Sequence, residues 1–211
     1  MVRNNKKILL EVRVGLFPIN AGNWLEGVCL EDYIPQMHTY QVDMQRRLKD
    51  VSLDSADRVR LSKNRRPVKI AALCEDWCID CLMTLPIMAQ IAEIAPGLEL
   101  RIFSRKLWPS LKEYHNQRGV MAIPAFSFLT ESFAEFAVFV ERPQSAHKKL
   151  NSWKAAHPEI DEIRRSASLS SAEKKAHLAG IRTEMQAEME AWYAEECQSG
   201  MVAEVAELLG I

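Results

Sequence analysis

The apolar positions change their rhythm twice along the chain. Residues 8–14 (Ile8, Leu9, Leu10, Glu11, Val12, Arg13, Val14) partly alternate and predict a short strand. Pro18, Asn20, Gly22 and Asn23 then mark a loop. Leu30, Ile34, Met37, Met44, Leu48 and Val51 recur at mostly helical spacing, predicting an amphipathic helix over about 31–51. A short helix near 54–61 follows, with Asp54 or Ser55 as its cap.

From about residue 67 the pattern is different. Val68, Ile70, Ala71, Ala72 and Leu73 belong to a nearly continuous apolar run, as expected of a strand buried on both faces. Residues 79–95 are helical in pattern, with Leu82, Leu85, Met88, Ala89 and Ala92 on one broad face. Leu98 to Phe103 reads as a second strand. A short helix opens at Pro109 or Ser110 and stops at Arg118-Gly119, where glycine suits a left-handed cap. Ala125–Leu129 and Ala134–Val140 read as a hairpin. The order strand–helix–strand–helix–strand–strand demands a parallel pair followed by antiparallel strands, hence a mixed sheet covered by helices. Residues 144–211 are helical in pattern, interrupted near His157-Pro158 and over Ser166–Ser171. We therefore expect three zones: a mainly helical N-terminal extension (1–66), an α/β core (67–143), and a C-terminal helical extension packed on that core (144–211).

Composition narrows the class of function. Of 211 residues, 48% are hydrophobic, enough apolar area to offset chain entropy. The 27 Lys and Arg are matched by 28 Asp and Glu, which argues against nucleic-acid binding driven by bulk charge. Lys63, Arg65 and Arg66 read as a short solvated linker. The apolar runs are too short to span a bilayer, and the stretch after the basic N-terminus is broken by Glu11 and Arg13, unlike a secretory signal. The expected setting is soluble and cytoplasmic.

Cysteine carries the chemistry. The five cysteines (Cys29, Cys74, Cys78, Cys81, Cys197) are odd in number and irregularly spaced, which is not a disulfide framework. Three of them fall within eight residues, pointing to redox or metal chemistry. Random placement gives roughly 0.09 Cys-x-x-Cys pairs per chain, so the context must strengthen the signal. Here the pair Cys78-Ile79-Asp80-Cys81 lies where a buried strand hands over to a helix. That spacing puts Cys78 at the helix N-terminus and Cys81 about one turn further in. Unpaired N–H groups and the helix dipole favour a thiolate at Cys78. Cys81 is placed to resolve a mixed disulfide.

Trp77-Cys78-x-x-Cys81 after a strand resembles the thioredoxin superfamily. Pro86 matches the proline inside that family's active-site helix, and Ile123-Pro124 matches its cis-proline. Within the superfamily, Glu75-Asp76-Trp77-Cys78-x-Asp80-Cys81, Arg142-Pro143 and the helical ends resemble a group of bacterial thioredoxin family proteins. The resemblance covers about 66–143 and implies a thioredoxin-like mixed sheet and a dithiol oxidoreductase. Cys78 would be the nucleophile and Cys81 the resolving thiol. Trp77, Ile123 and Pro124 would flank the substrate groove, the Ile123 backbone pairing with an extended segment. No bound cofactor or metal is implied, because the electrons reside in the cysteines. The implied partners are a disulfide-containing protein or small-molecule thiol substrate and an external reductant, with the helical ends offering surface for a homodimer.

The chain also departs from the family. Ile79-Asp80 stands where thioredoxins have Gly-Pro, and Ala72 stands where they bury an acid. Asp80 is then either a substitute for proton transfer to Cys81 or a solvated acid on the first helical turn. Glu75, Asp76 and Asp80 oppose a thiolate by like-charge repulsion, which predicts a less acidic Cys78 and a reducing couple. Cys74-x3-Cys78-x2-Cys81 also has radical-SAM spacing, but Asp80 occupies the usual aromatic position and the prolines are left unexplained. A zinc site would need a fourth ligand, and His38, His115, His147, His157 and His177 show no matching spacing. A binding or adaptor module with dispensable cysteines is a further reading. The intact pair and both matching prolines argue against it.

Overall fold

The structure, a computed structural model, describes residues 16–211; the strand expected over 8–14 lies outside the described residues. Four strands form one mixed sheet: β1 (Val68–Cys74), β2 (Leu98–Ser104), β3 (Ala125–Leu129) and β4 (Glu135–Val140). Their spatial order is β2-β1-β3-β4. β1 runs parallel to β2 in the register Val68 to Leu98, and antiparallel to β3. β3 and β4 form the expected hairpin, with a register shift at Phe128/Leu129. β1 is central and covered on both faces, which explains why its sequence does not alternate.

Helix α1 (Leu30–Tyr33) is followed by a 3-10 turn (Ile34–Gln36), and only then by α2 (Gln41–Asp50). The single helix expected over 31–51 is therefore corrected to two pieces. Pro35 lacks the N–H that would continue α1, the backbone turns extended at Met37 (ψ 137), and Tyr40 adopts φ 56, so the chain leaves the helix between them. The apolar spacing survives because Ile34, Met37 and Met44 are buried from separate elements. Ahead of α1, Val28 exchanges backbone hydrogen bonds with Ile102 at 3.0 and 2.8 Å, extending the sheet edge by one bridge. Helix α3 (Ser55–Leu61) is capped by Asp54, whose carboxylate accepts from the Asp57 N–H at 2.7 Å.

Helix α4 (Ile79–Ile94) joins β1 to β2 and contains Pro86. It is buried nearly all round, from Asp80 to Met88, rather than on one face. The sheet takes one side, and α2, α3 and the C-terminal helices take the others. Helix α5 (Pro109–Gln117) starts on its proline and leads to Gly119 at φ 74. The C-terminal zone comprises α6 (Gln144–Ala156), α7 (Glu159–Arg165), α8 (Ser171–Trp192) and α9 (Gln198–Leu209). The breaks fall at His157-Pro158 and Ser166–Ser170, as the sequence predicts. Ser170 and Glu173 form a reciprocal capping box at the start of α8. A π-helical turn (Tyr193–Cys197) separates α8 from α9 and turns Tyr193 and Cys197 into the core. α9 buries Met201, Val202, Val205, Ala206 and Leu209.

Candidate active site

β1 delivers the chain to a loop, Glu75 to Cys78, that ends at the N-terminus of α4. Two carboxylates fix this loop. Glu75 accepts from the Lys106 N–H at 2.7 Å and the Ser104 hydroxyl at 3.1 Å. Asp76 accepts from the backbone N–H groups of His38 and Thr39 at 2.6 and 3.1 Å, tying the loop to the chain ahead of α2. The acids read from sequence as charges around the thiol thus also anchor the backbone, each on segments distant in sequence.

Cys78 is the N-cap of α4 and is 9% exposed; Cys81, one turn on, is 2% exposed. Both are free thiols. The Cys78 Sγ–H donates to the carbonyl of Ile123 at 3.3 Å. Through this contact the loop before β3 meets the helix end, and its Ile123–Pro124 peptide is cis, as the family resemblance implies. Trp77 is 57% exposed beside the thiol. The structure thus brings Trp77, Cys78, Cys81, Ile123 and Pro124 to one end of the sheet.

The helix end does not make Cys78 a strong acid. Hydrogen bonding with Cys81 pushes its pKa well up, and burial and the negative charges of Cys81 and Asp80 add to this. The Cys81 backbone N–H pulls the other way and is outweighed. Burial likewise raises Cys81, with Cys74 as its hydrogen-bonding neighbour on β1.

Asp80 is neither a solvated acid nor free. It is 5% exposed and held in a bidentate ion pair: Arg142 Nε donates to Oδ1 at 2.7 Å, and Nη2 donates to Oδ2. The sequence reading of Asp80 as a solvated first-turn acid is corrected. The arginine-proline step after β4 returns across the helix end and neutralises it. Arg142 also binds Glu141 at 2.7 Å. Tyr193 from the π-helical turn lies close enough for the charges of Asp80 and Arg142 to act on its buried hydroxyl.

Cys74 is fully buried on β1, as a core residue would be. Cys29 caps α1 and donates to Asp32 at 3.1 Å, while Cys197 is buried in the π-helical turn. Among the described residues, no three His, Cys, Asp or Glu side chains are grouped to hold a metal ion. Two clefts flank Trp77. One, of about 470 Å³, is bounded by Tyr33, Met37, His38, Asp76, Leu107 and Trp108. The other, of about 450 Å³, opens on Cys78 and is lined by Tyr40, Trp77, Ile79, Arg182 and Met185. Sequence reasoning missed Tyr40, Arg182 and Met185: nothing local to them marks a residue that long-range packing brings to the thiol.

A dithiol at the N-terminus of a helix after a central strand, facing a cis-proline loop, defines the thioredoxin class of fold. The thioredoxin family model matches residues 27–154, more than half of the chain, and the chain belongs to that family. The match runs past both ends of the expected core, taking in α1 to α3 and most of α6. A solved protein of unknown function from Pseudomonas aeruginosa is 27% identical with a TM-score of 0.53, over 62% of this chain and 81% of that one. An HIV epitope-scaffold shares the fold at 19% identity and TM-score 0.59, over 91% of this chain and 98% of its own. No curated protein matches the chain. Among the described residues, no helix is long and apolar enough to cross a membrane.

Proposed function

We propose that the protein is a thiol–disulfide oxidoreductase working in the reducing direction, with Cys78 as nucleophile and Cys81 as resolving thiol. One observation carries the reading: the more accessible thiol caps α4 and touches the Ile123 carbonyl, with the second thiol shielded one turn behind it.

The Cys78 thiolate attacks one sulfur of a substrate disulfide, forms a mixed disulfide and expels the first substrate thiolate, which takes up a proton. The Cys81 thiolate then attacks the Cys78 sulfur, closes the Cys78–Cys81 bond and expels the second. Two electrons pass to the substrate, and the two thiol protons end on its products. An external dithiol reductant reopens the protein disulfide. Trp77, Ile123 and Pro124 border the groove in which the disulfide is presented. Asp80, already paired with Arg142, acts here as a charge near the thiols; a role in moving the Cys81 proton requires that pair to open. The raised Cys78 pKa supports a couple that holds its electrons weakly, since a stable thiolate is what makes a dithiol oxidising. The cytoplasm, where free thiols persist, is the compartment that suits this direction.

The test is a Cys81→Ser protein, which should accumulate a mixed disulfide on Cys78 that disappears in Cys78→Ser. The couple should lie below about −200 mV. A value near −120 mV, typical of strong dithiol oxidants, overturns the reducing direction, and absence of any Cys78 adduct overturns the activity.

A further inference from the structure

The cleft opening on Cys78 is built in part by the C-terminal zone. Helix α8 crosses the mouth and contributes Arg182 and Met185, which face Tyr40, Trp77 and Ile79 around the reactive thiol. Its volume of about 450 Å³ is within the range of small-molecule sites. The walls are largely apolar, and Arg182 is the cationic side chain among the lining residues.

The charges near this mouth are otherwise engaged. Asp80 is held by Arg142, Asp76 by two backbone N–H groups, and Asp43 by Arg46. Arg182 is exposed, and among the described residues it makes no hydrogen bond or ion pair. Its charge acts on the Tyr40 hydroxyl within the same cleft. Arg182 and Met185 also line an adjoining hollow with Trp153 and Arg164, whose guanidinium lies 4.0 Å from Asp161. An uncommitted guanidinium lining the same small cleft as a nucleophilic sulfur is suited to the carboxylate of a small molecule.

We propose that the substrate is a low-molecular-weight disulfide bearing carboxylates, with Arg182 holding a carboxylate while Cys78 attacks the sulfur. This rests on the redox reading above and names the substrate for the same site. The bonds made and broken are those of that cycle, with both substrate sulfurs leaving as carboxylate-bearing thiols. Arg182 acts as a specificity determinant and takes no part in electron transfer.

The test mixes reduced full-length protein with matched disulfides: 3,3′-dithiodipropionate (anionic), cystamine (cationic) and 2-hydroxyethyl disulfide (neutral). Formation of the Cys78–Cys81 bond is followed by quenching and mass measurement. Each variant is compared with wild type on the same disulfide, so differences in leaving group cancel. Arg182→Glu should slow oxidation by dithiodipropionate about tenfold, speed oxidation by cystamine, and leave the neutral probe within about twofold. Arg182→Lys should retain the preference, and added salt should erode it. If Arg182→Glu shifts the two charged probes together, or neither by more than about twofold, charge selection is overturned while the dithiol chemistry stands. If no probe closes the Cys78–Cys81 bond in wild type while Cys81→Ser still traps a disulfide partner on Cys78, the small-molecule substrate is overturned and the redox reading stands; if neither occurs, both fall.

Discussion

At the scale of single residues, the site is governed by how little Cys78 wishes to ionise. Its pKa is raised by Cys81, burial and Asp80, so only a small thiolate fraction exists at neutral pH. A raised pKa means that lowering pH removes thiolate from an already small pool. The rate of reaction with a neutral disulfide should therefore climb about tenfold per pH unit from 7 to 9, without a plateau near 7. Stopped-flow mixing across that range measures it. Asp80 makes a second prediction. Asp80→Asn removes the bidentate carboxylate from the buried Arg142 guanidinium and leaves it Glu141 alone, so the cost should fall below the about 3–5 kcal/mol of a fully orphaned buried charge. Urea unfolding should show that loss, and thiol alkylation should show Cys78 becoming more acidic as a nearby negative charge disappears. The meeting of these residues was legible in the sequence: the Trp77-Cys78-x-x-Cys81 spacing and Ile123-Pro124 mark the segments that come together at the end of the sheet. The environment of Asp80 was not. Its partner is 62 residues away, and nothing in the local pattern distinguishes a solvated helix-start acid from one covered by a returning chain.

At the scale of elements, the strands and the cysteine-bearing helix follow directly from apolar runs and turn residues, and they fall close to where those signals place them. The failure over 31–51 has a definite origin. Helical spacing reports which residues face the core, and Ile34, Met37 and Met44 do, but it does not report whether one continuous helix carries them. Pro35 and the left-handed Tyr40 decide that. Helix α4 shows the converse, since its one expected broad face is part of a helix enclosed on nearly every side. Gly27 links these elements. A Cβ there would lie 2.4 Å from the Phe103 ring, which is itself fully buried in β2. Gly27→Ala should force the ring or the Val28–Ile102 bridge to move, costing about 1–3 kcal/mol, readable as a lower denaturation midpoint.

At the scale of the whole molecule, the C-terminal helices belong to the same packed body as the sheet. α9 contacts α3, α4 and α6, and its buried residues join the continuous core. Gln198 donates to the Ser52 carbonyl at 2.8 Å, and Arg60 holds the Ile211 carbonyl oxygen at 3.0 Å, so both extensions are stitched together. A chain ended after Pro143 should thus lose its cooperative unfolding transition and bind hydrophobic dye, because α4 would be stripped along the side that α8 and α9 cover. The hydrogen bond from Cys78 to Ile123 has a final consequence at this scale. Once the sulfur is joined to another sulfur it has no hydrogen left to give, and the Ile123 carbonyl is released to seek a new donor. On the redox cycle proposed above, the loop before β3 would therefore differ between the dithiol and disulfide states by one vacant acceptor, a local mark that an incoming electron source would meet in one state and not in the other.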